Sequence, residues 1–326
     1  MPKFQKIYLG LIMIFFGCQE NIRKSDSTVQ DEVVDISTDT TSATTQPLSN
    51  SNLIVNDLED IIGYWVGDFR NAKENEEYWS KFVSVDEGLV WNRDNKINIS
   101  INKLDNDKVY GHSVVAGNYR PFEGTYKLKN NTFMFDVSEP GDDRYDGQFK
   151  FHINLGDTLL NGTWKAFKKI EIRERVYNLQ KKIFSYDPGQ MLIYTQRYAN
   201  WDNIKKIQYD SLEIAERDDL DDFYLEVESS TDSIYKINAS NKLLQKQDVE
   251  NLKRGDLFII RNTIYARHGY SFRNRPLRVF FDQQPWYIPV HNDIKKDLTA
   301  IEKENIKLLM RYEKNAKAYY DTFGRG

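Results

Sequence analysis

Strict alternation of apolar and polar residues is what most narrows the folds open to this chain. Ile97, Ile99 and Ile101 alternate with Asn98, Ser100 and Asn102. Phe149, Phe151, Ile153 and Leu155 alternate with Gln148, Lys150, His152 and Asn154. Side chains two apart on an extended backbone share a face, so each run reads as a strand with one buried and one wet side. Turn-forming clusters at 104–107, 129–131, 140–143 and Gly156-Asp157 punctuate these runs. The spacing predicts seven or eight short strands between residues 53 and 170, arranged as an antiparallel sandwich or an up-and-down barrel. Glycines inside Gly63-Tyr64-Trp65-Val66-Gly67, Gly124-Thr125-Tyr126 and Gly162-Thr163-Trp164 favour the barrel, whose corners bring backbones close together.

The Gly63-x-Trp65 opening, after the lead-in Asp57-Leu-Glu-Asp60, resembles the start of a lipocalin-type barrel, although the other lipocalin motifs and any disulfide are missing. A barrel of this size is either filled by its own side chains or holds one small ligand. Two loops offer polar groups. In Gly117-Asn-Tyr-Arg-Pro-Phe122, Asn118 and Arg120 stand beside aromatics at a strand end and suit an anionic or sugar group. Between Glu139 and Gly147, four carboxylates near a glycine turn suggest either a Ca²⁺ loop or, with Arg144 among them and no EF-hand spacing, a solvated hairpin.

Residues 1–17 read as a signal peptide: Lys3 and Lys6 precede the apolar run Ile7 to Phe16, which is too short for a permanent span. Phe15-Phe16-Gly17-Cys18 resembles a bacterial lipobox, which implies acylation at Cys18 and a membrane partner through the lipid anchor. Cys18 is the only cysteine, so the chain has no internal disulfide. Residues 18–52 are rich in Ser and Thr and poor in aromatics, the composition of a disordered tether. The expected location is extracytoplasmic, lipid-anchored to a bacterial membrane, at the outer membrane or cell surface. A net charge of −4 argues against nucleic acid as a partner.

Residues 171–240 form a connector in which 211–216, 223–228 and 234–237 read as short strands. Its acidic run from Glu213 to Glu228 faces, in sequence, an arginine-rich stretch from Arg254 to Arg278, which suggests docking between the two. From 257 to 272 the pattern changes to helix and stop. Leu257, Ile260, Ile264 and His268 share one face, Asp256 suits the N-terminal turn, and Gly269 stands where a positive φ is needed. Arg261, Tyr265 and His268 fall along one side. Thr299-Ala-Ile-Glu302 is a capping box that opens a last helix.

Tyr265-Ala266-Arg267-His268-Gly269 resembles the signature of the YARHG domain family. Arg261-Asn262 before it, and Tyr270-x-Phe272, Phe280-Phe281, Trp286-Tyr287, Pro289 and Ile301-Glu302-x-x-Asn305 after it, fall where that family has similar residues. The resemblance covers 241–320 and implies an accessory module of bacterial extracytoplasmic proteins, with no activity to carry over. The whole chain is therefore multidomain: mainly antiparallel β, lipocalin-like, followed by a small mostly α YARHG module.

Three readings of its chemistry follow. A structural reading makes Arg261, Asn262, Tyr265, Arg267, His268 and Gly269 the scaffold, with Arg261, Asn262, Tyr265 and His268 in one polar network. A binding reading leaves Arg267, Arg273, Arg275, Trp286 and Tyr287 partly exposed as a basic and aromatic patch for anionic cell-wall or glycan material. An enzymatic reading takes His268 as general acid or base in an envelope-acting hydrolase. It lacks a Ser or Cys nucleophile in a recognisable setting and any histidine pair at zinc spacing, and no cofactor is implied. The expected role is an accessory binding protein of the envelope; small-ligand carriage by the β-domain is the further alternative.

Overall fold

The structure, a computed structural model, describes residues 55–73, 83–85, 89–91, 94–203, 205–208 and 223–316. The leader, Cys18, the tether, the acidic residues 213–222 and the expected strand at 211–216 lie outside them.

Eight strands close into an antiparallel barrel: β1 (Gly63–Asn71), β4 (Asn95–Asp105), β5 (Lys108–Val115), β6 (Asn118–Lys129), β7 (Thr132–Ser138), β8 (Gly147–Asn154), β9 (Leu159–Ala166) and β10 (Glu174–Lys182). The short strands β2 (Val83–Val85) and β3 (Leu89–Trp91) pair with each other between β1 and β4. Every barrel strand pairs with its neighbour in sequence, and β10 returns to β1 with Phe69 opposite Tyr177 and Trp65 opposite Lys181. This up-and-down closure is consistent with the lipocalin-like reading and excludes the sandwich. The closing strand lies beyond residue 170, where the alternation ended in the sequence reading; Tyr177 and Leu179 point inward and Asn178 and Gln180 outward.

The alternation places Ile97, Ile99 and Ile101 of β4 and Phe149, Phe151 and Ile153 of β8 inside, all at most 3% exposed. Burial of such side chains stabilises by about 1.5–3 kcal/mol each. Trp65 plugs one end, its Nε1–H donating to Ile61 O at 2.9 Å. Lys181 stands over its ring and donates to Asp60 O. The expected wet face of β4 is wet only at Asn102. Asn98 and Ser100 are buried because the C-terminal module lies against them, with Asn98 Nδ2 donating to Pro289 O at 2.9 Å.

After the barrel, an extended segment leads to β11 (Lys205–Gln208) paired with β12 (Phe223–Glu226). The expected strand at 234–237 is a 3₁₀ turn over Asp232–Tyr235, because Thr231 accepts the Ser233 N–H and caps it. Four helices follow: α1 (Lys246–Val249), α2 (Arg254–Arg267), α3 (Arg275–Asp282) and α4 (Ala300–Asn315). Asp256 is the first-turn acid of α2, accepting from Lys253 N and from Thr231. Asn274 caps α3, and Pro276, Leu277, Phe280 and Phe281 bury its inner face.

α4 runs across α2 in the opposite sense, joined at one end by Arg261–Glu313 and at the other by His268–Glu302. Among the described residues Leu309 is the one fully buried hydrophobic side chain of α4, while Ile301 is 39% exposed. Arg254 pairs with Glu228, the part of the expected acidic–basic docking that falls among described side chains.

The helical module is seated on the barrel by polar contacts and a small apolar cluster. Ser271 Oγ accepts from Gly117 N at 2.9 Å, Arg273 Nε donates to Gly117 O at 3.3 Å, and Asp282 accepts from Lys96 N at 3.2 Å. Val66 of the barrel packs with Ile288 and Val290.

Candidate functional site

The 265–269 motif sits at the end of α2, where a Schellman turn closes the helix. Gly269 has φ +68°, its N–H donates to Ala266 O at 2.9 Å, and Tyr270 N donates to Tyr265 O at 3.1 Å. A methyl group at Gly269 would meet Phe184 at 2.8 Å and Ile288 O at 3.0 Å, so both conformation and space require glycine.

His268 then turns inward. Its Nε2 lies 2.8 Å from Glu302 Oε2, and its ring stacks on Tyr186 with centroids 4.2 Å apart. The Tyr186 hydroxyl donates to the other oxygen of Glu302 at 3.0 Å. Glu302 also serves the capping box, accepting from Thr299 N at 2.9 Å while Thr299 Oγ1 accepts from Glu302 N. Burial alone would raise this carboxyl, but hydrogen bonds from His268, the Thr299 N–H and Ser240 hold it down at about 2.

Arg267 points into the connector, donating to Gln190 O at 2.8 Å and Ser240 Oγ at 3.0 Å. Burial lowers its guanidinium to about 10, against the opposing pull of Glu302, Tyr186 and Asp187, so it stays charged at neutrality. Arg261 forms a two-pronged pair with Glu313 and lies over the Phe258 and Tyr265 rings. Asn262 returns to Phe258 O of its own helix. The four side chains expected in one network are thus divided: Arg261 binds α4 from the middle of α2, and His268 binds α4 and the connector at its C-terminal end.

The opposite end of the barrel from Trp65 holds a pocket of about 440 Å³. Its floor is the aromatic cluster of Phe69, Phe149 and Trp164, with Phe69 and Trp164 edge to face at 5.6 Å. Val115, Ile170 and Ile172 add apolar wall. Five arginines line it: Arg120, Arg144 and Arg175 from the barrel, and Arg275 and Arg278 from α3. Arg120 is committed to Asp146 at 3.0 Å and Asp143 at 3.2 Å. Arg175 lies over Phe69 and donates to its carbonyl.

At the base of the pocket Glu139 accepts from Ser113 Oγ at 2.9 Å, Gly147 N at 2.8 Å and Trp164 Nε1 at 3.4 Å. Burial outweighs those bonds and the nearby Arg120, raising its carboxyl to about 7. Glu139, Asp143 and Asp146 of the 139–147 loop therefore spend their carboxylates on the chain itself. Asp146 accepts from Gly141 N and Asp143 N as well as from Arg120, and no group of potential metal ligands gathers among the described residues.

The structure brings Asn118, Arg120 and Arg275 together on this pocket. It does not assemble the expected basic and aromatic patch. Arg267 and Tyr287 are 3% and 2% exposed, Tyr287 donating its hydroxyl to Tyr270 O. Trp286 is half-buried, with its N–H unpartnered among the described residues. Arg273 is exposed and clamps Gly117 on the barrel. Arg175, Arg278 and Tyr186 went unread as site residues, and Glu139 was read only as one carboxylate of a candidate Ca²⁺ loop or solvated hairpin. The alternation of Tyr177 and Leu179 around Asn178 signals the strand that carries Arg175, whereas nothing local marks Tyr186 as the partner of a histidine 82 positions later.

The family model of the YARHG domain matches residues 233–314. No curated protein and no solved structure matches the chain. The protein thus carries a YARHG domain behind a closed eight-stranded antiparallel barrel.

Proposed function

We propose that this is an envelope-anchored lipoprotein that binds a small ligand at the mouth of its barrel, with the YARHG domain as the cap that completes the site. The observation that carries this reading is the convergence of arginines from the barrel and from α3 on one pocket with an aromatic floor. Concave sites with an apolar lining and a few convergent polar groups are where small molecules are held. In this reading Cys18 bears the lipid, residues 19–52 space the barrel from the bilayer, and the 265–269 motif is scaffold rather than contact surface.

The hydrolase alternative gains little support from the geometry. His268 is 5% exposed, its partner Glu302 is fully buried, and neither lines the pocket. The patch reading loses Arg267 and Tyr287 to the interior and retains Arg275 as part of the pocket rim.

Native mass spectrometry of the full chain, released from the membrane fraction of a producing bacterium, tests the reading. The wild type should carry a non-covalent small molecule that a pocket-filling Val115→Trp variant lacks. Ligand-free masses for both proteins would count against a ligand site in the barrel mouth.

A further inference from the structure

We propose that the pocket takes a small organic anion whose apolar or aromatic body rests on the Phe69–Trp164 floor and whose acidic group meets the guanidiniums of Arg144, Arg175 and Arg275. This rests on the barrel mouth being the ligand site and adds the class of ligand.

Charge selects the class. Five arginines and two glutamates, Glu139 and Glu171, line the pocket. Arg120 is balanced by Asp143 and Asp146, so it positions the loop more than it attracts. Arg144 and Arg275 are exposed, Arg175 and Arg278 half-buried, and all four line the same space. Burial depresses the Arg278 guanidinium, and Asp282 opposes that shift more strongly than the adjacent Arg275 adds to it. Guanidiniums are the preferred two-pronged partners of carboxylate, sulfonate and phosphate groups.

Shape and floor select the body. About 440 Å³ exceeds what an inorganic anion fills, and Val115, Ile170 and Ile172 flank the aromatic floor with apolar surface. Glu139 does not contradict an anion. It is turned onto Ser113, Gly147 and Trp164, and a carboxyl raised to about 7 is largely protonated below neutrality.

Two naphthyl fluorophores of similar shape separate charge from apolarity. One is anionic, 1-anilinonaphthalene-8-sulfonate, and the other is its uncharged counterpart, N-phenyl-1-naphthylamine. Titrated against the folded full chain, the sulfonate should bind one-to-one and roughly tenfold or more tighter than the amine, as a charge-assisted contact gives. Its affinity should fall with added salt, and by roughly tenfold in an Arg144→Gln/Arg275→Gln variant of unchanged melting temperature. Val115→Trp should abolish both signals.

Equal affinities, insensitive to salt and to the arginine changes but lost in Val115→Trp, would overturn the anion class and leave the pocket as a neutral apolar site. Sulfonate binding that Val115→Trp leaves unchanged would place the site elsewhere and overturn both readings. If the double arginine variant does not fold, the salt titration and the charged-to-neutral ratio on the wild type still decide the class.

Discussion

Replacing Glu302 by glutamine should destabilise the YARHG domain in a pH-dependent way. The substitution keeps an oxygen for the Thr299 N–H and nearly the same volume, so it removes mainly the charge facing His268 and the Tyr186 hydroxyl. The carboxyl is lowered from 4.5 to about 2 in the folded protein, because the hydrogen bonds to its ionised form outweigh the cost of burial. A depressed folded-state value means the contribution is complete above the unfolded value and disappears as pH falls toward the folded one. That difference corresponds to about 3 kcal/mol at pH 7, of which about 2 kcal/mol is gone by pH 3. Urea unfolding of wild type and Glu302→Gln at pH 7, 5 and 3 reads the gap directly, and amide exchange in α2 and α4 locates it. The gap should be about 3 kcal/mol at pH 7 and narrow to about 1 kcal/mol at pH 3. A gap that is the same at both pH values, or below about 1 kcal/mol throughout, would refute the assignment of Glu302 as the ionised centre of the cluster.

Glu139→Gln should act with the opposite sign. Its carboxyl is raised to about 7 by burial, so ionisation costs stability as pH rises from the unfolded value toward 7, and the variant should be about 1–3 kcal/mol more stable than wild type at pH 8 and equal to it near pH 4.5; calorimetric melts at the two pH values check this. Gly269→Ala should lower stability by about 1–2 kcal/mol from its positive φ alone, with a further loss from the contact with Phe184, read as a drop in melting temperature. Gly117→Ala introduces a methyl that overlaps the Arg273 side chain at a residue of φ +77°, so exchange should accelerate across 271–291 while amides of β7 to β9 stay protected.

The barrel was largely readable because its signal is local. Period-two alternation in β4 and β8, and glycine where strands crowd (a methyl at Gly162 would lie 2.6 Å from Phe151 Cβ), require no knowledge of distant residues. The helix stop at Gly269 and the capping box at Thr299 were readable for the same reason.

What escaped depends on contacts between distant segments. Asn98 and Ser100 alternate as a wet face but are covered by a strap 191 residues away from Asn98 at Pro289. Arg267 and Tyr287 belong to residue types that usually stay partly exposed, and only the connector backbone at Gln190 and the Tyr270 carbonyl explain their burial. The pocket itself is assembled from loops and ends of elements between Phe69 and Arg278, each unremarkable alone. Asn118 and Arg120 were singled out as neighbours of aromatics at a strand end, and the two residues do face that space.

We propose a division of labour in which Arg267 of the motif is internal and the arginines at the barrel mouth meet a small anion. Phenylglyoxal labelling of the folded full chain, read residue by residue by peptide mass spectrometry, tests it most directly. Arg144 and Arg275 should be modified readily and be shielded by the bound sulfonate probe, while Arg267 is spared until the protein is unfolded. Modification of Arg267 at the rate of Arg275, or no shielding of Arg275 by bound probe, would contradict the account.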